Sequence, residues 1–177
     1  MLRRISQFFQ AVGASLSYED CQYVARHLSQ KGQALFYGMH LADQTHALRT
    51  AYTAEALAEE EARYEPVNRK LLIRAALLHD AGRRKGDMDL WGKVFAVLMA
   101  GFFPQESRNM AKAGTGGFLE WPGHVLYVYY NHPKIGAQLL RSIGMRAEAD
   151  LVERHHAPPQ PGEAIELSIL RRADERN

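Results

Sequence analysis

Between Leu71 and Leu78 the chain reads Leu-Leu-Ile-Arg-Ala-Ala-Leu-Leu, apolar nearly all round, and it runs directly into His79 and Asp80. A helix with so little polar surface is buried among other elements, and the residues that close it go inside with it. An ionised carboxylate such as Asp80 is costly to desolvate there unless it is paired or bound to a cation. Neighbours on a helix diverge by about 100°, so His79 and Asp80 can address one site only near a helix end or with one side chain bridging outward. Gly82 is read as the terminator that places them at such an end. Asp174 poses the same question, because Ile169 and Leu170 precede it on a helix whose apolar face should be buried.

The rest of the chain can only surround such a helix with more helices, since runs of alternating β-branched residues between tight hairpin dipeptides are nearly absent. Ser17 followed by Asp20 predicts a capped helix to about Ser29, with Gly32 and Gly38 punctuating the connection to the next elements. Three- and four-residue spacing of Leu48, Ala51, Tyr52, Leu57 and Ala58 predicts a long helix over 43–63, with His46 in its first turn. Pro66 or Asn68 opens the buried helix, and Arg83, Arg84, Lys85 and Asp87 form a charged loop beyond it. Further helices are expected over 91–103, ended by Pro104, and over 134–143, 147–156 and 163–176, with a helical turn at Val125–Tyr130. Met1–Ser17 reads as an amphipathic first helix and not a secretory signal, because Ser6, Gln7 and Gln10 interrupt its apolar run. Gly114–Gly117 reads as a flexible loop; a phosphate-cradling pattern is missing there. Phe102, Phe103, Trp121 and Tyr127–Tyr130 are expected to fill the core in preference to lining a base pocket.

Length and charge narrow the function classes. At 177 residues one domain is expected. A net charge of +2 is too weak to imply nucleic-acid binding but suits an anionic small molecule. Cys21 is the single cysteine, so a metal would have to be held by histidine and carboxylate. No stretch approaches the roughly 20 apolar residues needed to cross a bilayer, so a soluble, cytoplasmic protein with no membrane partner is expected.

Five of the eight histidines, His46, His79, His132, His155 and His156, fall at element ends or in polar punctuation beside apolar helices. Neutral imidazoles and ionised carboxylates together ligate divalent first-row metals. His27, His40 and His124 are read as ordinary core or surface residues.

In chain order the candidates are His46, then Leu-Leu-His79-Asp80-Ala-Gly, then Asn-His132-Pro-Lys-Ile-Gly-Ala, then Arg-His155-His156, then Ala-Asp174. This pattern, across residues 40–177, resembles the HD superfamily of metal-dependent phosphohydrolases. The resemblance implies an all-α, compact helical bundle over 41–177, with residues 1–40 as supporting helices of the same domain. It implies a metal held by His46, His79, Asp80 and Asp174. It further implies a second ion at His132, His155 and His156, with Asp80 bridging the two. One or two divalent ions are expected, drawn from Fe, Mn, Zn, Ni, Co or Mg, with iron favoured for a pair. Asp80 would act at the reacting centre, and Arg83, which stands where many HD enzymes have lysine, would neutralise phosphoryl charge with help from Lys85 or Lys134.

The implied activity is hydrolysis of a phosphate ester or anhydride in a nucleotide-like small molecule, with no nucleic-acid partner and a homodimer allowed. The Gly-Tyr-Pro signature of the cyclic-dinucleotide branch is replaced by Ala-Pro-Pro-Gln-Pro after the paired histidines, and Ala42 stands where some of those enzymes have an extra carboxylate. The pattern looks closer to small stand-alone HD hydrolases acting on nucleotides. An HD-fold di-iron oxygenase and a metal-retaining ligand-sensing module are the alternatives.

Overall fold

A computed structural model describes residues 15–63, 65–88, 90–114 and 120–177. Its helices are α1 (Tyr18–His27), α2 (Gln30–Tyr37), α3 (Leu41–Glu61), α4 (Arg69–Leu78), α5 (Leu90–Phe102), α6 (Pro104–Met110), α7 (Trp121–Ser142), α8 (Arg146–Arg154) and α9 (Ile165–Arg176). There is no β-strand among the described residues, only an isolated bridge between Met39 and Arg84, and the fold is all-α as expected.

Local chemistry accounts for most of the helix starts. Ser17 and Asp20 form a reciprocal capping box at α1. Ser29 caps α2, which runs through Gly32; that glycine is a helical residue packed on Leu28, not the punctuation expected of it. His40 caps α3 by accepting from the Ala42 N–H, which moves the start two residues upstream and puts His46 in the second turn. Asn68 caps α4 by accepting from Leu71 N–H. Pro104 does follow the end of α5, but it also starts α6 at the first helical position, where its missing N–H costs nothing.

The largest difference from expectation lies in α7. Asn131–Pro133 does not break the chain into two helices; Pro133 sits inside one helix of 22 residues. Proline inside a helix leaves the carbonyl four residues back without its N–H partner. That carbonyl belongs to Tyr129, and it accepts instead from Nδ1 of His132 at 2.9 Å.

Helix α4 is the axis of the main core. Leu72, Ile73, Ala75, Ala76, Leu77 and Leu78 are all buried there, among residues of α1, α3, α8, α9 and the C-terminal half of α7. Tyr23, Val24 and Phe36 join this core, so α1 and α2 share it with the later helices. A smaller cluster of Met88, Ala96, Val125, Leu126 and Val128 ties α5 to the N-terminal half of α7. Trp121, Tyr127 and Tyr129 pack against that cluster, whereas Phe102 and Phe103 are exposed, contrary to the expectation that they fill the core.

Helix α9 lies along α4. Near its start Glu166 accepts from the N–H of Asn68, and near its end Asp174 reaches His79, one residue beyond α4. At about 1.5 Å per residue the spacing 68–79 exceeds 166–174 by only a few ångströms, so the two helices run in the same direction and both deliver polar residues to one end of the core. The N-terminal segment 1–14 and residues 115–117 of the glycine loop lie outside the described residues. Among the described residues no helix is long and apolar enough to cross a membrane.

Candidate metal centre

At the C-terminal end of α4 the chain makes a tight non-helical turn in which His79 is the cap and Asp80 comes next, both 1% exposed. Gly82 does not end the helix through a left-handed conformation; positive φ is found only at Gly86, Gly144 and Gly162 among the described residues. Its role is close approach. A Cβ on Gly82 would stand 2.1 Å from the carbonyl oxygen of His132 and 2.8 Å from the N–H nitrogen of Gly136. Two glycines thus let the turn after Asp80 lie directly on α7, and that contact sets Asp80 opposite His132.

Three imidazoles of the centre are oriented in the same way. His79 donates Nδ1–H to Ala76 O at 2.8 Å, His132 to Tyr129 O at 2.9 Å, and His155 to Val152 O at 2.6 Å. A carbonyl can only accept, so each Nδ1 carries its proton and a neutral ring presents the lone pair of Nε2. These carbonyls are three residues back along the chain, at the end of α4, at the proline gap of α7 and at the end of α8. The sequence thereby pre-sets the ligand atom of each histidine.

The ligand atoms converge. His46 Nε2 is 2.8 Å from Asp174 Oδ1, and His79 Nε2 is 3.4 Å from the same oxygen. Asp80 places Oδ2 3.7 Å from His79 Nε2 and Oδ1 3.3 Å from His132 Nε2. The rings of His155 and His156 lie 3.9 Å apart, and those of His79 and His155 5.3 Å apart. Three overlapping groups are close enough to hold an ion: His46, His79 and Asp174; His79, Asp80 and His155; and His132, His155 and His156. Of the residues expected in the centre, His46, His79, Asp80, Arg83, His132, His155, His156 and Asp174 are brought together. Lys85 and Lys134 are exposed and join it through no side-chain contact among the described residues.

Electrostatics is set by burial and sign. Burial disfavours an ionised Asp80, yet Arg83, His79 and His132 outweigh it and hold the carboxyl well below its usual range. Asp174 is likewise depressed despite its burial, by its hydrogen bond to His46 and by His79. Burial would lower the His79 imidazole, but Asp80 and Asp174 push it up to about 9. His155 moves the other way, down to about 3, through burial and the neighbouring His79 and His156. His132 is also held far down, by burial and Arg83.

The donor set fits a divalent cation. His79 Nε2, His155 Nε2 and Asp80 Oδ1 are buried without a hydrogen-bond partner, an arrangement that costs free energy unless an electron-pair acceptor lies between them. Nitrogen and carboxylate oxygen donors are those of Mn, Fe, Co, Ni and Zn sites.

Two charged residues near the centre, Asp43 and Lys93, were not expected there from the sequence. Asp43, 3% exposed and one turn before His46 on α3, accepts a 2.5 Å hydrogen bond from Lys93 of α5 and lies 3.9 Å from Arg83 Nη1. The spacing Asp43–His46 was the available signal, since i and i+3 share a helix face; Lys93 had none, because only tertiary packing brings α5 there. His124 and His27 stay outside: His124 accepts from Gly114 N–H, and His27 packs on Tyr23. A cavity of about 290 Å³ opens beside His155, His156 and Asp174, lined also by Pro158, Pro159 and Arg171.

An all-α bundle that gathers buried imidazoles and carboxylates around unpaired lone pairs has the donor groups that could hold a metal ion. Residues 44–176 match the family model of the HD domain, more than half of the chain, and the protein belongs to that family. HD domains are mostly metal-dependent hydrolases and bind divalent metals. No curated protein and no solved structure matches the chain.

Proposed function

We propose that this protein hydrolyses a phosphate ester or anhydride of a nucleotide-like small molecule, using a divalent metal held by His46, His79, Asp80 and Asp174. The observation that carries the proposal is the pair of buried, unpaired acceptors at His79 and Asp80 beside the converging ligand atoms of His46 and Asp174. A divalent ion bound there lowers the pKa of a coordinated water from 15.7 toward about 7 and supplies a nucleophile at neutral pH.

The chain's own residues supply the rest. Asp174 orients His46 by accepting at Oδ1 from its Nε2 at 2.8 Å, and the same oxygen faces His79 Nε2 at 3.4 Å. Arg83, 19% exposed at its side chain, offers a permanent positive charge to phosphoryl oxygens arriving at the centre. His156, half exposed beside the cavity, is the first imidazole that an entering anion meets. Pro158 and Pro159 line the cavity wall with rigid apolar surface on which a base or other non-phosphate part of the substrate can rest.

The test is release of phosphate from a panel of nucleoside mono-, di- and triphosphates and dinucleoside polyphosphates by Mn²⁺-loaded protein. Asp80→Ala should abolish turnover with the helical content unchanged. A metal-loaded protein that releases no phosphate from the panel, or that consumes oxygen with an organic substrate instead, overturns the reading.

A further inference from the structure

Arg83 does more than line the centre. Its Nη1 donates to Asp80 Oδ2 at 2.6 Å, and its Nη2 donates to His132 Nε2 at 3.1 Å. One planar guanidinium therefore spans a carboxylate and an imidazole that would both be needed by a second metal ion bridged through Asp80. Because His132 Nδ1–H is committed to Tyr129 O, the ring has a single lone pair, at Nε2. That lone pair can face the guanidinium or an ion, not both.

We propose that the Arg83 guanidinium is the resident second cation of this centre, so that the resting protein takes up one divalent ion at His46, His79, Asp80 and Asp174. The inference rests on the proposed metal centre and deepens it.

Charge and anchoring both support the assignment. The centre holds three carboxylates and two permanently charged side-chain cations: Arg83 and Lys93 pair with Asp43 and Asp80, and Asp174 faces the imidazoles of His46 and His79. One divalent ion already makes that set net positive; a second would add two more charges with no further carboxylate paired to the cluster among the described residues. Nor is Arg83 a loose surface chain. Its stem is three residues from Asp80, in the turn pinned to α7 at Gly82, and Asp43 lies behind it at 3.9 Å, itself held by Lys93. Arginine stays protonated at any working pH, so a deprotonation cannot vacate the position. A phosphate anion competing for the guanidinium is the change that would release His132, which couples substrate arrival to a freed imidazole.

The experiment counts Mn²⁺ per chain by elemental analysis after gel filtration and reads the low-temperature electron paramagnetic resonance spectrum. Wild type should hold one ion with an isolated six-line signal. Arg83→Met should hold two, magnetically coupled, and Arg83→Met with His132→Ala should return to one. Because Arg83→Met leaves Asp80 without its cation and can unfold, His132→Ala alone is a second arm. It should keep one ion bound at an affinity within about threefold of wild type, since His132 is not a ligand of the resting centre. Two coupled ions in wild type, one ion in a folded Arg83→Met, or loss of the ion in His132→Ala each overturns the inference while leaving the metal centre standing. No ion in wild type overturns both.

Discussion

Gly82 faces the main-chain carbonyl of His132 so closely that a methyl group built on it would stand 2.1 Å from the oxygen. The obstacle is helix backbone, which cannot swing aside as a side chain can. Gly82→Ala must therefore push the turn bearing Asp80 away from α7. Overpacking against backbone costs about 2–3 kcal/mol or more, a fall in melting temperature on the order of 5–10 °C. Thermal unfolding followed by circular dichroism measures it, and an unchanged melting temperature would show that the turn and α7 are not in contact.

His79 makes the metal-free protein sensitive to alkali. Its pKa rises from the usual 6.5 to about 9 because Asp80 and Asp174 outweigh burial. A raised pKa means that this stabilisation is complete below about pH 6.5 and is lost as the pH climbs through 9. The proton involved also competes with a metal, so cation affinity should climb up to tenfold per pH unit over the same interval. Urea unfolding of metal-free protein at pH 6.5, 8 and 9.5, paired with Mn²⁺ titrations, tests both; two flat profiles would exclude His79 as the responsible group.

Asp174→Asn keeps the shape of the side chain and removes the charge that His46 and His79 share at 2.8 and 3.4 Å. Metal affinity should fall by at least about 100-fold, beyond what loss of an outer-shell partner produces. The His79 pKa should fall with it, because one of its two carboxylate neighbours is gone. Mn²⁺ titration and imidazole NMR report the two effects separately.

Lys93→Met strands Asp43, which is 3% exposed and has Lys93 as its close partner. Breaking a buried pair from one side is costly, roughly 2–4 kcal/mol at a position that is partly solvated. Adding Asp43→Asn should recover much of that loss, because no buried charge is then left uncompensated. Denaturant midpoints of the single and double variants decide it; equal stability of the two would mean that Asp43 finds its charge compensation elsewhere.

Much of the fold and the centre was legible from the chain alone. The apolar run from Leu71 to Leu78 forced an interior helix, and Asp80 at its end forced a question about charge that a cation answers. Ser17, and Asn68 as one of two candidates, marked helix starts because capping is a local matter of one side chain and the next turn of backbone, whereas Pro104 was legible only as the end of a helix. Local reasoning failed where a specific contact, near or far along the chain, overrode a residue's usual preference. Pro133 stays inside α7 because His132 satisfies the carbonyl that the proline abandons, and Gly82 answers to a neighbouring helix and not to its own.

What the amino-acid order determined by itself is an all-helical chain, the five histidines that gather with Asp80 and Asp174, and the Nδ1 anchors that three of those histidines find three residues back along the chain. What only the tertiary structure decided is which cations meet which carboxylates: that Arg83 spans Asp80 and His132, that Lys93 neutralises Asp43, and that Lys85 and Lys134 face solvent. Helix and cap preferences act over a turn or so of chain and can be read one segment at a time. Charge pairing acts through space between segments 50 residues apart, as Lys93 and Asp43 are, and no periodicity along the chain encodes which of several basic residues arrives.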